Sequence, residues 1–118
     1  DWANAGGISQ TLINTNIVST SSTSWIELFK IPVYIPANCT YIEVRVSAKS
    51  SGGSTSLRLS DGTTGGSSLA ITDLSYTWQS TSLVYDVSSK SGWTLIYLEG
   101  TVSGVQTVYA DRCILRVY

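Results

Sequence analysis

Apolar side chains in this chain return at every second residue, and no stretch of useful length shows the 3.6-residue return of a helix. The clearest run is 41–49, where Ile42, Val44, Val46 and Ala48 form one face and Tyr41, Glu43, Arg45, Ser47 and Lys49 the other. Successive side chains of a strand point to opposite sides of its sheet, so this run is a strand with one buried and one wetted face. The same period places strands at 8–18 (with breaks at Asn14 and Asn16), 25–35, 55–60, 68–72, 81–87, 93–103 and 106–118. Gly52-Gly53, Asp61-Gly62, Gly65-Gly66 and Gly104 supply turns between them. Pro32 interrupts the second strand and predicts a sheet edge or a bulge there, because proline has no N–H to give to a ladder. In the last strand, alternation puts Tyr109, Asp111, Cys113, Leu115 and Val117 on one face and Arg112, Ile114, Arg116 and Tyr118 on the other. Eight or nine antiparallel strands at this spacing predict an all-β, two-sheet β-sandwich of jelly-roll type. With neither a repeat nor a linker, residues 1–118 read as one domain.

Charged residues are 13% of the chain, about half the usual share, and nearly balance to a net charge of −1. They are scattered, whereas a nucleic-acid surface needs clustered Lys and Arg to neutralise phosphates; no nucleic-acid partner is expected. No apolar run reaches the roughly 20 residues that span a bilayer as a helix. The four Trp and seven Tyr argue against disorder, so the abundant Ser and Thr read as the wetted half of many strands. The chain has no Met, and Asp1 reads as a processed or trimmed start.

Catalysis finds little to work with. There is no His, which removes the Ser-His-Asp and Cys-His arrangements that activate a nucleophile. Glu27, Glu43 and Glu99 fall on outward strand positions, and Asp61 and Asp73 on turns, so no pair of acids stands out for glycoside hydrolysis. No cofactor is expected. Calcium is the one metal to weigh, with Asp61 and Asp111 as candidates beside Asp73 and Asp86, though their spacing forms no known loop.

Cys39 and Cys113 either form a disulfide, closing a long loop, or are two buried free thiols; the first reading is the expectation. Asn38 heads an Asn-Cys-Thr sequon and is a glycosylation candidate or an unmodified turn residue. Both features suit a secreted protein at a cell or virion surface. Tyr76 and Trp78 share one face of the segment Leu74-Ser75-Tyr76-Thr77-Trp78, and Trp93, Leu95 and Tyr97 share another face. Flat aromatic rings stack on sugar faces, so Tyr76, Trp78 and Trp93 are candidate stacking residues; the competing expectation is that Trp25, Trp78 and Trp93 fill the core. Trp2 reads as exposed or docked on a neighbour.

From Trp2 to Ile26 there is no Asp, Glu, Lys or Arg. A monomer usually guards an edge strand with charge, because a bare edge recruits other chains. Residues 1–24 are therefore either an ordinary first strand or an extension that completes a neighbouring subunit's sheet, with Ile8, Leu12, Ile13 and Ile17 as the assembly strand.

The runs Tyr41-Ile42-Glu43-Val44-Arg45-Val46, Trp78, Leu83-Val84-Tyr85-Asp86-Val87 and Tyr109-Ala110-Asp111-Arg112-Cys113-Ile114 resemble the jelly-roll carbohydrate-binding modules. That resemblance implies glycan binding and a structural calcium at Asp111. The charge-poor, Ser/Thr-rich composition and the uncharged N-terminal strand are similar to subunits of archaeal and bacterial extracellular filaments and of viral fibres. That second resemblance implies a glycosylated homopolymer joined by donor strands. The leading expectation is a structural subunit assembling through its N-terminal segment; the alternative is a non-catalytic carbohydrate-binding or adhesive module.

Overall fold

The computed structural model describes residues 9–118. Among these residues nine antiparallel strands and no helix make two facing sheets: β1 (Ser9–Thr20), β2 (Ile26–Ile35), β3 (Tyr41–Ser50), β4 (Thr55–Ser60), β5 (Leu69–Ile71), β6 (Thr77–Trp78), β7 (Leu83–Asp86), β8 (Gly92–Val102) and β9 (Val108–Val117). One sheet runs β1-β9-β3, with β6 and β7 both paired to β3; the other runs β2-β8-β4-β5. β7 occupies Tyr41–Val44 of β3 and β6 occupies Ser47–Ala48, so the two are halves of one interrupted lane. Counted as lanes, four face four in the strand order of a jelly roll; the alternation predicts the two-sheet sandwich but leaves that order open. β6, only two residues long, leaves no period to read and was not foreseen as a strand.

The core is aliphatic. Ile42, Val44, Val46 and Ala48 of β3 are fully buried against Ile31, Val33 and Ile35 of β2, Leu57 and Leu59 of β4, and Ile96 and Leu98 of β8. Each large aliphatic side chain so buried contributes roughly 1.5–3 kcal/mol. Trp25, Trp78 and Trp93 take no part in it, which corrects the expectation that they fill the sandwich. Branched aliphatics from every strand but β6 already close the space between the sheets, and Trp78 and Trp93 carry the outward parity.

Two further expectations are corrected by register. The alternation of β9 breaks between Ala110 and Arg112, which pair with Ala48 and Ser47, leaving Asp111 as the extra residue of a β-bulge. Val108 and Ala110 are therefore buried together with Cys113, Leu115 and Val117, while Tyr109 faces outward. The disulfide is also absent: Cys39 and Cys113 are both buried free thiols. Cys113 lies opposite Val46 on β3, whereas Cys39 precedes that strand at its far end. At about 3.4 Å per residue they stand roughly 20 Å apart, against the ~7 Å limit of a bridge. Burial pushes the Cys113 thiol up to about 12.

Proline 32 does not interrupt β2; it pairs with Leu95 at the sheet's edge, where no N–H is required. The bulge of that strand falls earlier, between Glu27 and Phe29. β1 pairs with β9 of its own sheet and forms that sheet's other edge. Its register shifts between Asn14 and Val18, where Asn16 takes a left-handed φ of 55°, matching the breaks read at Asn14 and Asn16.

Candidate functional site

The outer face of the four-stranded sheet carries a bare aromatic cluster. Because Ile31, Val33 and Ile35 point inward on β2, Lys30, Pro32 and Tyr34 point out. On β8, Ile96 and Leu98 point inward, so Trp93, Leu95 and Tyr97 point out. The register sets Tyr34 beside Trp93 and Pro32 beside Leu95. Trp93 is 76% exposed and Tyr34 53%; their rings meet edge to face, centroids 5.7 Å apart at 71°. Farther along the same face the aromatic group is covered: Arg58 lies 4.2 Å over the ring of Trp25 and donates from Nε to Glu99 Oε1 at 2.8 Å.

The outer face of the five-stranded sheet pairs its aromatics with cations. Arg45, Ser47 and Lys49 alternate outward on β3, with Trp78 and Arg112 in register beside Ser47 and Tyr109 beside Lys49. The Lys49 ammonium sits 4.8 Å from the Tyr76 ring and 4.9 Å from Tyr109. The Arg112 guanidinium stands 5.3 Å from the Trp78 ring, and Arg45 donates from Nε to the Gln79 carbonyl at 2.8 Å. The hydroxyls of Ser47 and Tyr76 and Oδ1 of Asp111 are buried with no hydrogen-bond partner among the described residues. Burial, then the charges of Asp111 and Tyr109, raises the Tyr76 phenol above its ordinary value. Arg116 of the same face is 1% exposed and donates to the Tyr118 hydroxyl at 3.1 Å.

At one end of the sandwich, the β4–β5 and β7–β8 loops border an open groove of about 460 Å³ lined by Asp61, Gly66, Tyr85 and Lys90 among others. The Asp61-Gly62 turn forms as its sequence predicts, with Gly62 at a φ of 94°. Asp61 Oδ1 accepts from the N–H groups of Thr64 (2.7 Å) and Thr63 (2.9 Å), and Oδ2 from Lys90 (3.2 Å). Those donors, the Thr64 amide foremost, hold its carboxyl well below the usual range.

The structure separates the residues that the sequence grouped. Tyr76 and Trp78 lie on one outer face under cations, and Trp93 on the opposite one, uncovered. Among the described residues no three or more His, Cys, Asp or Glu gather to hold a metal. Asp61 spends both oxygens on donors, and Asp111 lies in a different region, against Arg112 at 3.8 Å. Asn38 is exposed in a turn at a φ of 69°. Leu12 and Ile17 are 64% and 68% exposed, and Ile13 packs on the core; Ile8 and Trp2 lie outside the described residues. Sequence reasoning missed Tyr34, although the parity of Ile31, Val33 and Ile35 already placed it outward. It also missed the role of Lys49 and Arg112, which only cross-strand register reveals.

No protein family matches the chain, and no curated protein matches it in sequence. Among solved structures it is similar to the C-terminal family 6 carbohydrate-binding module of LamC, a marine laminarinase from Zobellia galactanivorans. The two share 14% identity over 92% of this chain and 99% of that one, with a TM-score of 0.57. At that identity the likeness establishes the β-sandwich fold alone. A structure of infectious bursal disease virus, Gx strain, aligns over 92% of this chain and 32% of its own, at 15% identity and a TM-score of 0.42.

Proposed function

We propose that this chain is a non-catalytic, extracellular binding module that holds a glycan against the Trp93–Tyr34 pair. The observation that carries this reading is Trp93 itself, 76% exposed on a strand and with no cation over its ring among the described residues. An indole fixed by its strand loses little freedom on binding, and its flat face suits the C–H face of a sugar ring. Tyr34, standing edge-on beside it, adds a side wall with a hydroxyl for polar contacts. Catalysis is disfavoured by chemistry rather than by likeness: the chain has no His, Glu99 is held by Arg58, and Asp61 by Lys90. An exposed sequon at Asn38 suits the extracellular reading.

The test is a glycan array followed by titration of any hit with wild type, Trp93→Ala and Tyr34→Ala. Trp93→Ala is expected to weaken the hit at least about tenfold, the equivalent of ~1.4 kcal/mol. A wild-type protein that binds no glycan, or a Trp93→Ala variant that binds as well, removes the reading.

A structural role by strand addition is supported by a separate observation. β1 is a 12-residue edge without a charged residue, and it exposes Leu12 and Ile17. In this second reading the chain is a filament or appendage subunit whose N-terminal segment pairs with a neighbour. Electron microscopy and size-exclusion chromatography of wild type and Leu12→Lys test it. Polymers lost in the variant support assembly; a wild-type monomer at 12.7 kDa excludes it.

A further inference from the structure

We propose that the outer face of the five-stranded sheet is a second binding site, centred on Arg112, Lys49 and Ser47, for an acidic saccharide bearing a carboxylate or sulfate group. It stands on the sheet opposite the Trp93–Tyr34 pair and does not depend on that pair binding anything.

The chain carries seven basic side chains, Lys30, Arg45, Lys49, Arg58, Lys90, Arg112 and Arg116, and uses them differently on its different faces. Away from this face, Arg58 and Lys90 are ion-paired, to Glu99 at 2.8 Å and to Asp61 at 3.2 Å. On this face, Arg45, Lys49 and Arg112 rise from adjacent strands, and aromatic rings or a carbonyl take the place of carboxylates. The nearest carboxylate contact is Asp111 to Arg112 at 3.8 Å, too long for a hydrogen bond. A guanidinium resting on an indole keeps its N–H edge free in its own plane, the geometry that meets an oxyanion with two parallel bonds. Arg112 is also the accessible member, its side chain 47% exposed.

Ser47 supplies the independent observation. It lies between Trp78 and Arg112 in the register, is 1% exposed, and its hydroxyl has no partner among the described residues. Such a group is costly to keep in a fold unless something else takes it up. Beside it, the Tyr76 hydroxyl and Asp111 Oδ1 are likewise unpartnered. The combination decides the class of ligand. The cations want an oxyanion, and Asp111 Oδ1 wants a donor, which the hydroxyls of a sugar have and a phosphodiester backbone lacks.

The experiment is calorimetric titration of wild type, Arg112→Gln and Ser47→Ala with three soluble polymers: a polygalacturonate, a sulfated galactan and an uncharged galactan. Single-stranded DNA of similar charge is the fourth arm. Wild type is expected to bind at least one acidic polymer and to bind the uncharged galactan and DNA at least about tenfold more weakly, with affinity falling as salt rises. Preference between the first two polymers assigns carboxylate or sulfate. Arg112→Gln is expected to lose roughly tenfold in affinity. Ser47→Ala removes an unpaired hydroxyl, so it is expected to weaken binding while its thermal midpoint stays level or rises. That split separates a ligand contact from a structural clamp, and it keeps the test open if Arg112→Gln fails to fold. Binding of no acidic polymer, equal binding of DNA, or full affinity in both variants overturns the proposal.

Discussion

The two outer faces of the sandwich are built from the same kinds of residue and use them differently. On the five-stranded sheet each of Tyr76, Tyr109 and Trp78 has a cation within about 5 Å of its ring, and none of those cations makes a close ion pair among the described residues. On the four-stranded sheet the cation over Trp25 is locked to Glu99, and among the described residues no cation lies over the rings of Trp93 and Tyr34, although Lys30 points out farther along β2. Aromatics on the first face hold strands together, because β6 is two residues long and is fastened through Trp78 and Gln79. Trp93 stands on an eleven-residue strand held by a long ladder to β2 and, farther along, by β4, so the fold does not depend on its ring for fastening. The same side chain is mortar in one place and a free surface in the other.

The largest effect that would test this contrast is at the ion pair. Arg58→Ala leaves the 9%-exposed Glu99 without its partner, and about 2–3 kcal/mol of stability is expected to go, read by urea unfolding. Lys49→Ala on the other face strands no carboxylate and is expected to cost under about 1 kcal/mol. Equal losses would mean that the ring-stacked cations are structural anchors of the same rank, and the contrast between the faces would fall.

Next in size is Trp78→Ala, expected to cost about 1.5–2 kcal/mol by removing the ring that ties β6 to Arg112. Hydrogen exchange at residues 77–79 is expected to speed up with it. A change below about 0.5 kcal/mol would show that β6 is held by Gln79 alone, through its N–H to the Val46 carbonyl and its amide to Asp73.

The sequence made the parity of the longer strands legible, and with it the two-sheet sandwich, the choice of edge or bulge at Pro32 and the Asp61-Gly62 turn. It could not settle which side of a strand faces inward when both sides are partly apolar. β8 offers Trp93, Leu95 and Tyr97 on one side and Ile96 and Leu98 on the other, and the larger aromatics suggest core when the smaller aliphatics are the core. Nor does alternation announce its own failure: the bulge at Asp111 adds one residue and sends Tyr109 to the opposite face. The cysteine pairing failed for a related reason. Both thiols are inward, as a disulfide requires, but only the register of β3 on β9 tells how far apart along the strands they lie.

A smaller effect is expected from acid, at the groove end that belongs to neither face. Asp61 is held below its unfolded carboxyl value of about 3.9, so its contribution is complete above that pH and is lost as pH falls below about 4 toward the folded value. Thermal midpoints of wild type are therefore expected to drop more steeply between pH 5 and pH 2 than those of Asp61→Asn, which lacks the titrating group. Parallel profiles would mean that other carboxyls, Asp86 with its Ser88 amide among them, carry the acid sensitivity.

The smallest expected change is the one that sharpens the contrast most. Trp93→Ala removes a large ring, yet that ring is 76% exposed and outside the core, so its loss is expected to alter stability by no more than about 0.5 kcal/mol. The edge-to-face contact with Tyr34 sets the upper end of that range, since both rings stay wet and little area leaves water when they meet. Exposed apolar surface that the fold does not use is where a soluble protein meets a partner. A neutral stability change beside a lost glycan hit would place the value of Trp93 wholly in recognition. A loss near that of Trp78→Ala would instead make Trp93 a second strand clamp, tying edge strand β2 to β8, and the two faces would then differ only in whether a cation or a tyrosine completes the pair.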